Sequence, residues 1–196
     1  HGAHGYLLSQ FLSATMNPRD DGYGGDLVGR ARLLREITRR VRAACPAPFV
    51  VAVRLSPEDR GNARGLDLDE TLQVARWLAD DGVDLVHLSL WDAAKSTVKR
   101  PDVHAARFFR DGLPADVAVV AAGGVWTRDD ALRLYDHGAD VVCVGRAAIV
   151  DPEWPRHVIE QGLEPARGPR TVAQLADVDV SERFAGYLRR FPGMVA

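Results

Sequence analysis

The sequence has little of what would mark several protein classes. Two cysteines, Cys45 and Cys143, stand far apart in 196 residues and share no CxxC spacing. No disulfide framework or thiolate metal site is encoded, and a reducing, cytoplasmic setting is the expectation. There is no signal-peptide pattern and no apolar run long enough to cross a bilayer. Charge of one sign is scarce as well, with 25 Lys and Arg against 27 Asp and Glu, interspersed. No basic run invites nucleic acid, and no acidic tail is present. Short repeats and low-complexity tracts are missing. What remains is the composition of a globular protein, 46% hydrophobic and long enough for a sizeable core. Its expected partner is a small molecule, not nucleic acid or a membrane.

The apolar residues are ordered in a repeating way. Residues 26–44 form an amphipathic helix, with Leu27, Ala31, Leu34 and Val41 on one face and arginines opposite. "PFVVAVRLS" (48–56) reads as a buried strand. "DLDETLQVARWLADDG" follows as a helix, capped by Asp67 or Asp69 and ended by Gly82. Strands are predicted at 83–90, 116–124 and 139–146. A helix over "TRDDALRLYDHG" carries an approximate capping box from Thr127 to Asp130. Another starts in "DPEWPRHVIEQG". Nearly all-apolar strands alternating with helices predict a parallel sheet buried on both faces. Four such units are half of a (β/α)8 TIM barrel, which usually needs about 250 residues. The expected fold is α/β, the C-terminal half of such a barrel over residues 1–165. Residues 166–196 are read as an extension packed on it.

Chemistry-bearing residues fall at strand ends. "AAGGVWT" and "VCVGRAA" each close a strand and open a helix. In a parallel barrel such turns cradle phosphate on backbone N–H groups, so Gly123, Gly124, Gly145 and Arg146 are candidates; simple tight turns are the alternative. Arg54 ends an apolar strand, where a structural ion pair or an acceptor-rich cofactor would satisfy it.

The chain opens on "HGAHGY". His1 and His4 have HxxH spacing, yet no acidic cluster completes a metal site, and no metal is expected. Two imidazole N–H groups can instead share a substrate carbonyl, stabilising the enolate that forms as the β-carbon of an enone accepts hydride. Tyr6 can then pass a proton to the α-carbon. The third reading is that these are ordinary loop residues, against which Gly2 and Gly5 favour a shaped turn over a random surface.

Taken together, these residues resemble the Old Yellow Enzyme family of NADH:flavin oxidoreductases, which hold FMN in a (β/α)8 barrel. The match runs through "HGAHGYLLSQFLS" and on through Asn17, Arg19, Asp21, Tyr23, Gly24, Gly25 and Arg30. It continues to Arg54, the GG turn and "VGRAAIVDP". The resemblance implies that His1 and His4 hold the substrate, that Tyr6 donates the proton and that Arg54 contacts the flavin ring. It also implies that Gly123, Gly124, Gly145 and Arg146 bind the FMN phosphate, with NADH or NADPH as reductant. The implied activity is reduction of the C=C bond of activated alkenes.

One departure is the helix start, where Asp26-Leu-Val-Gly29-Arg30 replaces the family's usual Ser-x-Glu-Asn-Arg. Another is the lack of a cysteine cluster after the barrel, which speaks against the iron–sulfur dienoyl-CoA reductase type. The family's first strands have no counterpart here. The chain is therefore read as the carboxyl-terminal half of a longer reductase, inactive alone. It is expected to pair with the missing half-barrel or with itself through open sheet edges. The rival readings are another phosphate-binding barrel enzyme and a non-catalytic half-barrel module.

Overall fold

The computed structural model describes residues 1–59, 65–164 and 167–196. The elements are α1 (Leu7–Leu12), α2 (Leu27–Ala44), β1 (Ala52–Leu55), α3 (Leu68–Asp80), β2 (Leu85–Ser89), α4 (Ala105–Gly112) and β3 (Ala118–Ala122). They are followed by α5 (Arg128–Asp136), β4 (Val141–Cys143), α6 (Arg146–Val150), a π-helical turn (Pro155–Glu160), α7 (Val172–Ala176) and α8 (Glu182–Leu188). The strands lie in the order β1-β2-β3-β4, and the β1–β2 and β2–β3 pairs are parallel. The chain forms two compact units: residues 1–123 with 133–142, and residues 124–132 with 143–196.

In the first unit the period-2 geometry of the strands sorts side chains by face. Val53, Leu55, Val86, Leu88, Val119 and Ala121 are buried. The helices contribute Leu34, Leu68, Leu78 and Phe109 to the buried core. Each such side chain stabilises the fold by about 1.5–3 kcal/mol when fully buried. The other face is only partly closed: Ala52 is exposed and Arg54 and His87 partly buried, while Ser89 and Val120 are buried. Burial on both faces is the expectation; on this face it holds for Ser89 and Val120 and not for Ala52. The strands are also shorter than the apolar runs predict. Phe49 and Val50, in the expected first strand, lie outside β1 and are 58% and 61% exposed.

The opening residues are held by the sheet. Gly2 bridges Leu55 in parallel register, and its N–H donates to the Arg54 carbonyl at 2.8 Å. A Cβ on Gly2 would come within 3.2 Å of that carbonyl oxygen, a tight approach that glycine permits.

The buried face of α2 differs from the predicted one. Val41 is exposed, whereas Arg30 and Thr38 are buried. Arg30 is buried because three partners satisfy it: the carbonyls of Leu12 (3.0 Å) and Gly25 (2.8 Å), and the Glu70 carboxylate (2.6 Å). Asn17 similarly donates to the carbonyls of Phe11 and Tyr23. A Cβ on Gly24 would fall 2.0 Å from the Arg19 carbonyl oxygen. The segment from Asn17 to Arg30 is thus a structural knot. Its departure at the helix start also has a physical account. Asp26 caps α2 by accepting from Gly29 N–H at 2.9 Å, and a Cβ on Gly29 would strike the Gly24 carbonyl oxygen at 2.1 Å.

In the second unit Val150, Leu175, Ala185, Leu188 and Met194 form a core, with Trp126, Ile149 and Val172 packed against it. Thr127 and Asp130 make the reciprocal pair the spacing predicts: Asp130 N–H donates to Thr127 Oγ1 at 3.1 Å, and Thr127 N–H to the Asp130 carboxylate at 2.9 Å. The helix expected after Asp151 is π-wound, with Gln161 N–H donating to the Arg156 carbonyl. The expected boundary at residues 165 and 166 lies outside the described residues.

Candidate functional site

His1, His4 and Tyr6 come together at the carboxyl ends of β1 and β2. The His1 ring lies 5.4 Å from the His4 ring, edge on, and 5.3 Å from the Tyr6 ring. The loop that carries them is shaped by left-handed backbone at His4 (φ 59°) and Gly5 (φ 69°). This conformation is uncommon for a residue other than glycine, although histidine is among those that adopt it, and here its surroundings hold it there. Two contacts do so: His4 N–H donates to Ser56 Oγ at 3.1 Å, and Gln10 Nε2 donates to the Gly5 carbonyl at 2.7 Å. Tyr6 then leads directly into α1 and is 63% exposed.

Beneath this loop, β1 and β2 present a polar pair. Arg54 and His87 are register partners and share one face of the sheet. Arg54 Nη2 donates to Ser89 Oγ at 2.9 Å, and the same oxygen is hydrogen-bonded to His4 Nε2. Among the described residues no carboxylate pairs with Arg54. Its Nε, like His87 Nε2, is buried without a hydrogen-bond partner. Burial and the neighbouring Arg54 charge lower the His4 pKa. Burial first, then Arg54 and His4, push His87 down to about 4. Both rings are therefore neutral at pH 7.

A cleft of about 430 Å³ opens beside His4, lined by Met16, Ser56, Ser89, Trp91 and Thr97 among others. The acids at its wall already have partners. Glu58 accepts from Val98 and Lys99 N–H, and Asp59 from Gly65 and Leu66 N–H. Trp91, at 83% exposure, stands at the rim. Among the described residues no group of three or more His, Cys, Asp and Glu side chains is placed to hold a metal.

The glycine turns divide between the two units. Gly123 belongs to the first, and packing alone demands it there: an added Cβ would meet Leu90 Cβ and carbonyl oxygen at 2.8 Å. Gly124, Gly145 and Arg146 belong to the second unit. Gly124 has φ +71°, which favours glycine by backbone conformation. A Cβ on Gly145 would meet no atom within 4 Å, so packing within the chain does not require glycine there. Arg146 is exposed at the start of α6.

His87, Ser56 and Ser89 join the site without having been singled out by residue type. The signal was present as a repeated tetrapeptide: Val-Arg-Leu-Ser at 53–56 and Val-His-Leu-Ser at 86–89. Parallel register aligns Val53 with Val86, Arg54 with His87 and Leu55 with Leu88, which brings the two serines to equivalent ends.

The four-stranded parallel sheet with its helices is half of a (β/α)8-barrel fold. A solved old yellow enzyme homologue from Zymomonas mobilis superposes with a TM-score of 0.69 at 28% identity, covering 89% of this chain and 48% of that one. Morphinone reductase superposes at 0.72 and 25% identity, covering 89% and 46%. The sequence pattern of the NADH:flavin oxidoreductase / NADH oxidase family matches residues 1–165, and the chain belongs to that family. An NADPH dehydrogenase of Bacillus licheniformis is 32% identical over 176 residues, covering 86% of this chain and 50% of that protein. The chain thus spans about half the length of such relatives. The family's flavin is FMN, with NAD(P)H as reductant. Among the described residues no helix is long and apolar enough to cross a membrane.

Proposed function

We propose that this chain supplies the substrate-activating half of an FMN-dependent NAD(P)H oxidoreductase that reduces the C=C bond of enones and related activated alkenes. The observation that carries the reading is the convergence of His1, His4 and Tyr6 above Arg54 on one loop. Two imidazoles at 5.4 Å can converge on one carbonyl oxygen. Because His4 is neutral, it donates a hydrogen bond without placing a full positive charge there. The Tyr6 hydroxyl, beside His1, delivers the proton to the α-carbon.

Arg54 fits the flavin. Its buried, unpartnered Nε–H, with no carboxylate paired to Arg54 among the described residues, suits an acceptor edge that gains negative charge on reduction. Gly123, Gly124, Gly145 and Arg146 would hold the FMN phosphate. When bound, FMN supplies the hydride taken from NAD(P)H.

Residues 1–165 would form the barrel portion and 166–196 the extension. The exposed Ala52 and Val141 would be covered, in a longer protein, by the other half of the barrel, and the location would be the cytoplasm.

The test separates the two half-reactions of the full-length protein. Tyr6→Phe is expected to slow flavin oxidation by 2-cyclohexenone by about 10²–10⁴-fold while leaving flavin reduction by NAD(P)H unchanged. Equal losses in both halves would contradict the assignment.

A further inference from the structure

The two serines that end the repeated tetrapeptides grip His4 from both sides. Ser56 Oγ accepts from the His4 backbone N–H at 3.1 Å, at the residue whose φ is 59°. Ser89 Oγ is hydrogen-bonded to the far nitrogen of the same ring, Nε2. Ser89 is 8% exposed, and its hydroxyl also receives a hydrogen bond from Arg54 Nη2 at 2.9 Å. A guanidinium only donates, so Ser89 Oγ is an acceptor toward Arg54. A hydroxyl oxygen can accept twice, but among the described residues His4 Nε2 is the one other group bonded to Ser89 Oγ, so the arrangement that leaves no buried O–H unpartnered has Ser89 donating and His4 Nε2 accepting. A neutral imidazole that accepts at Nε2 carries its proton on Nδ1.

We propose that Ser56 and Ser89 are positioning residues that clasp His4, Ser56 setting its backbone and the Arg54–Ser89 hydrogen-bond chain fixing its ring as the Nδ1–H tautomer. The nitrogen that bears the proton is then the one directed away from the protein's own hydrogen-bond chain. Burial and the Arg54 charge keep the ring neutral, so that a tautomer is defined at neutral pH. The inference rests on the reading of His4 as a carbonyl donor only for its functional meaning. The tautomer itself is a property of the chain. The same linkage joins the residue proposed to face the flavin to the residue proposed to hold the substrate through a single hydroxyl.

The test is ¹⁵N-histidine NMR of the full-length, FMN-loaded protein, with the His4 signals identified by their loss in His4→Gln. The wild type is expected to show a protonated Nδ1 and an accepting Nε2. Ser89→Ala should shift the pattern toward the Nε2–H form, and Ser89→Thr, which keeps the hydroxyl, should restore it. In Ser89→Ala the rate of flavin oxidation by 2-cyclohexenone at low enone concentration should fall roughly tenfold, the scale of one hydrogen bond, with reduction by NAD(P)H unchanged. A wild-type ring protonated at Nε2, or a Ser89→Ala pattern identical to wild type, overturns the clasp. A shifted pattern with unaltered enone kinetics upholds the clasp and removes His4 from the proposed function.

Discussion

On one face of the sheet Leu55, Val86, Leu88 and Val119 are completely buried, and every position is aliphatic. On the opposite face of β1 and β2, one residue away along each strand, stand Ala52, Arg54, His87 and Ser89. The same backbone thus carries two populations of side chain. The aliphatic face contributes apolar burial, and nothing on it can bond, donate or titrate. The other face gives up that contribution: two nitrogens are buried without partners, and the carboxyl end leads to the His1, His4 and Tyr6 loop. An unsatisfied buried donor typically costs about 1–3 kcal/mol, so this face adds less to stability than the aliphatic one.

The contrast can be broken from either side. Leu88→Ala should have the largest effect, a loss of about 2–5 kcal/mol in urea denaturation, with flavin stoichiometry in the folded fraction unchanged. His87 gives a smaller effect, visible only through pH. In the unfolded chain its imidazole takes up a proton near the ordinary value of 6.5, but in the folded protein not until about 4. The unfolded state therefore binds more protons over that interval. Stability should fall as pH drops from about 6.5 to about 4, with a slope of at most ~1.4 kcal/mol per pH unit from this group. His87→Gln should remove that part of the slope, as followed by thermal melts across the range. Ala52→Ser, on the exposed part of the same face, should change stability by no more than about 0.5 kcal/mol.

The sequence carried the architecture because parallel strands and their helices leave strong local marks. Asp67 caps α3 by accepting from Asp69 and Glu70 N–H, and Gly82 follows that helix at φ 93°. Strand limits were less legible. Phe49 and Val50 are as apolar as Val51 and Val53, and hydropathy cannot tell which of them pairs. Helix α4 escaped because its cap is His104, whose Nδ1 accepts from Ala106 N–H at 3.2 Å, an unusual residue for that position.

At the site, His1, His4, Tyr6 and Arg54 were legible from residue type and placement at strand ends. Ser56 and Ser89 were not, since a serine after an apolar strand reads as a loop residue until register sets the two side by side. Gly123 was legible as a glycine at a strand end, but the close approach of Leu90 to it was not.

Arg54 tests the division between the two faces most directly. In the full-length protein Arg54→Met would be followed in two ways: FMN affinity by fluorescence titration, and the melting temperature of the flavin-free form. The account predicts a roughly 10- to 100-fold loss of FMN affinity, the scale of a charge-assisted hydrogen bond, with a flavin-free melting temperature within about 2 °C of wild type. Unchanged FMN affinity, or a melting temperature lowered as far as that of Leu88→Ala, would contradict it.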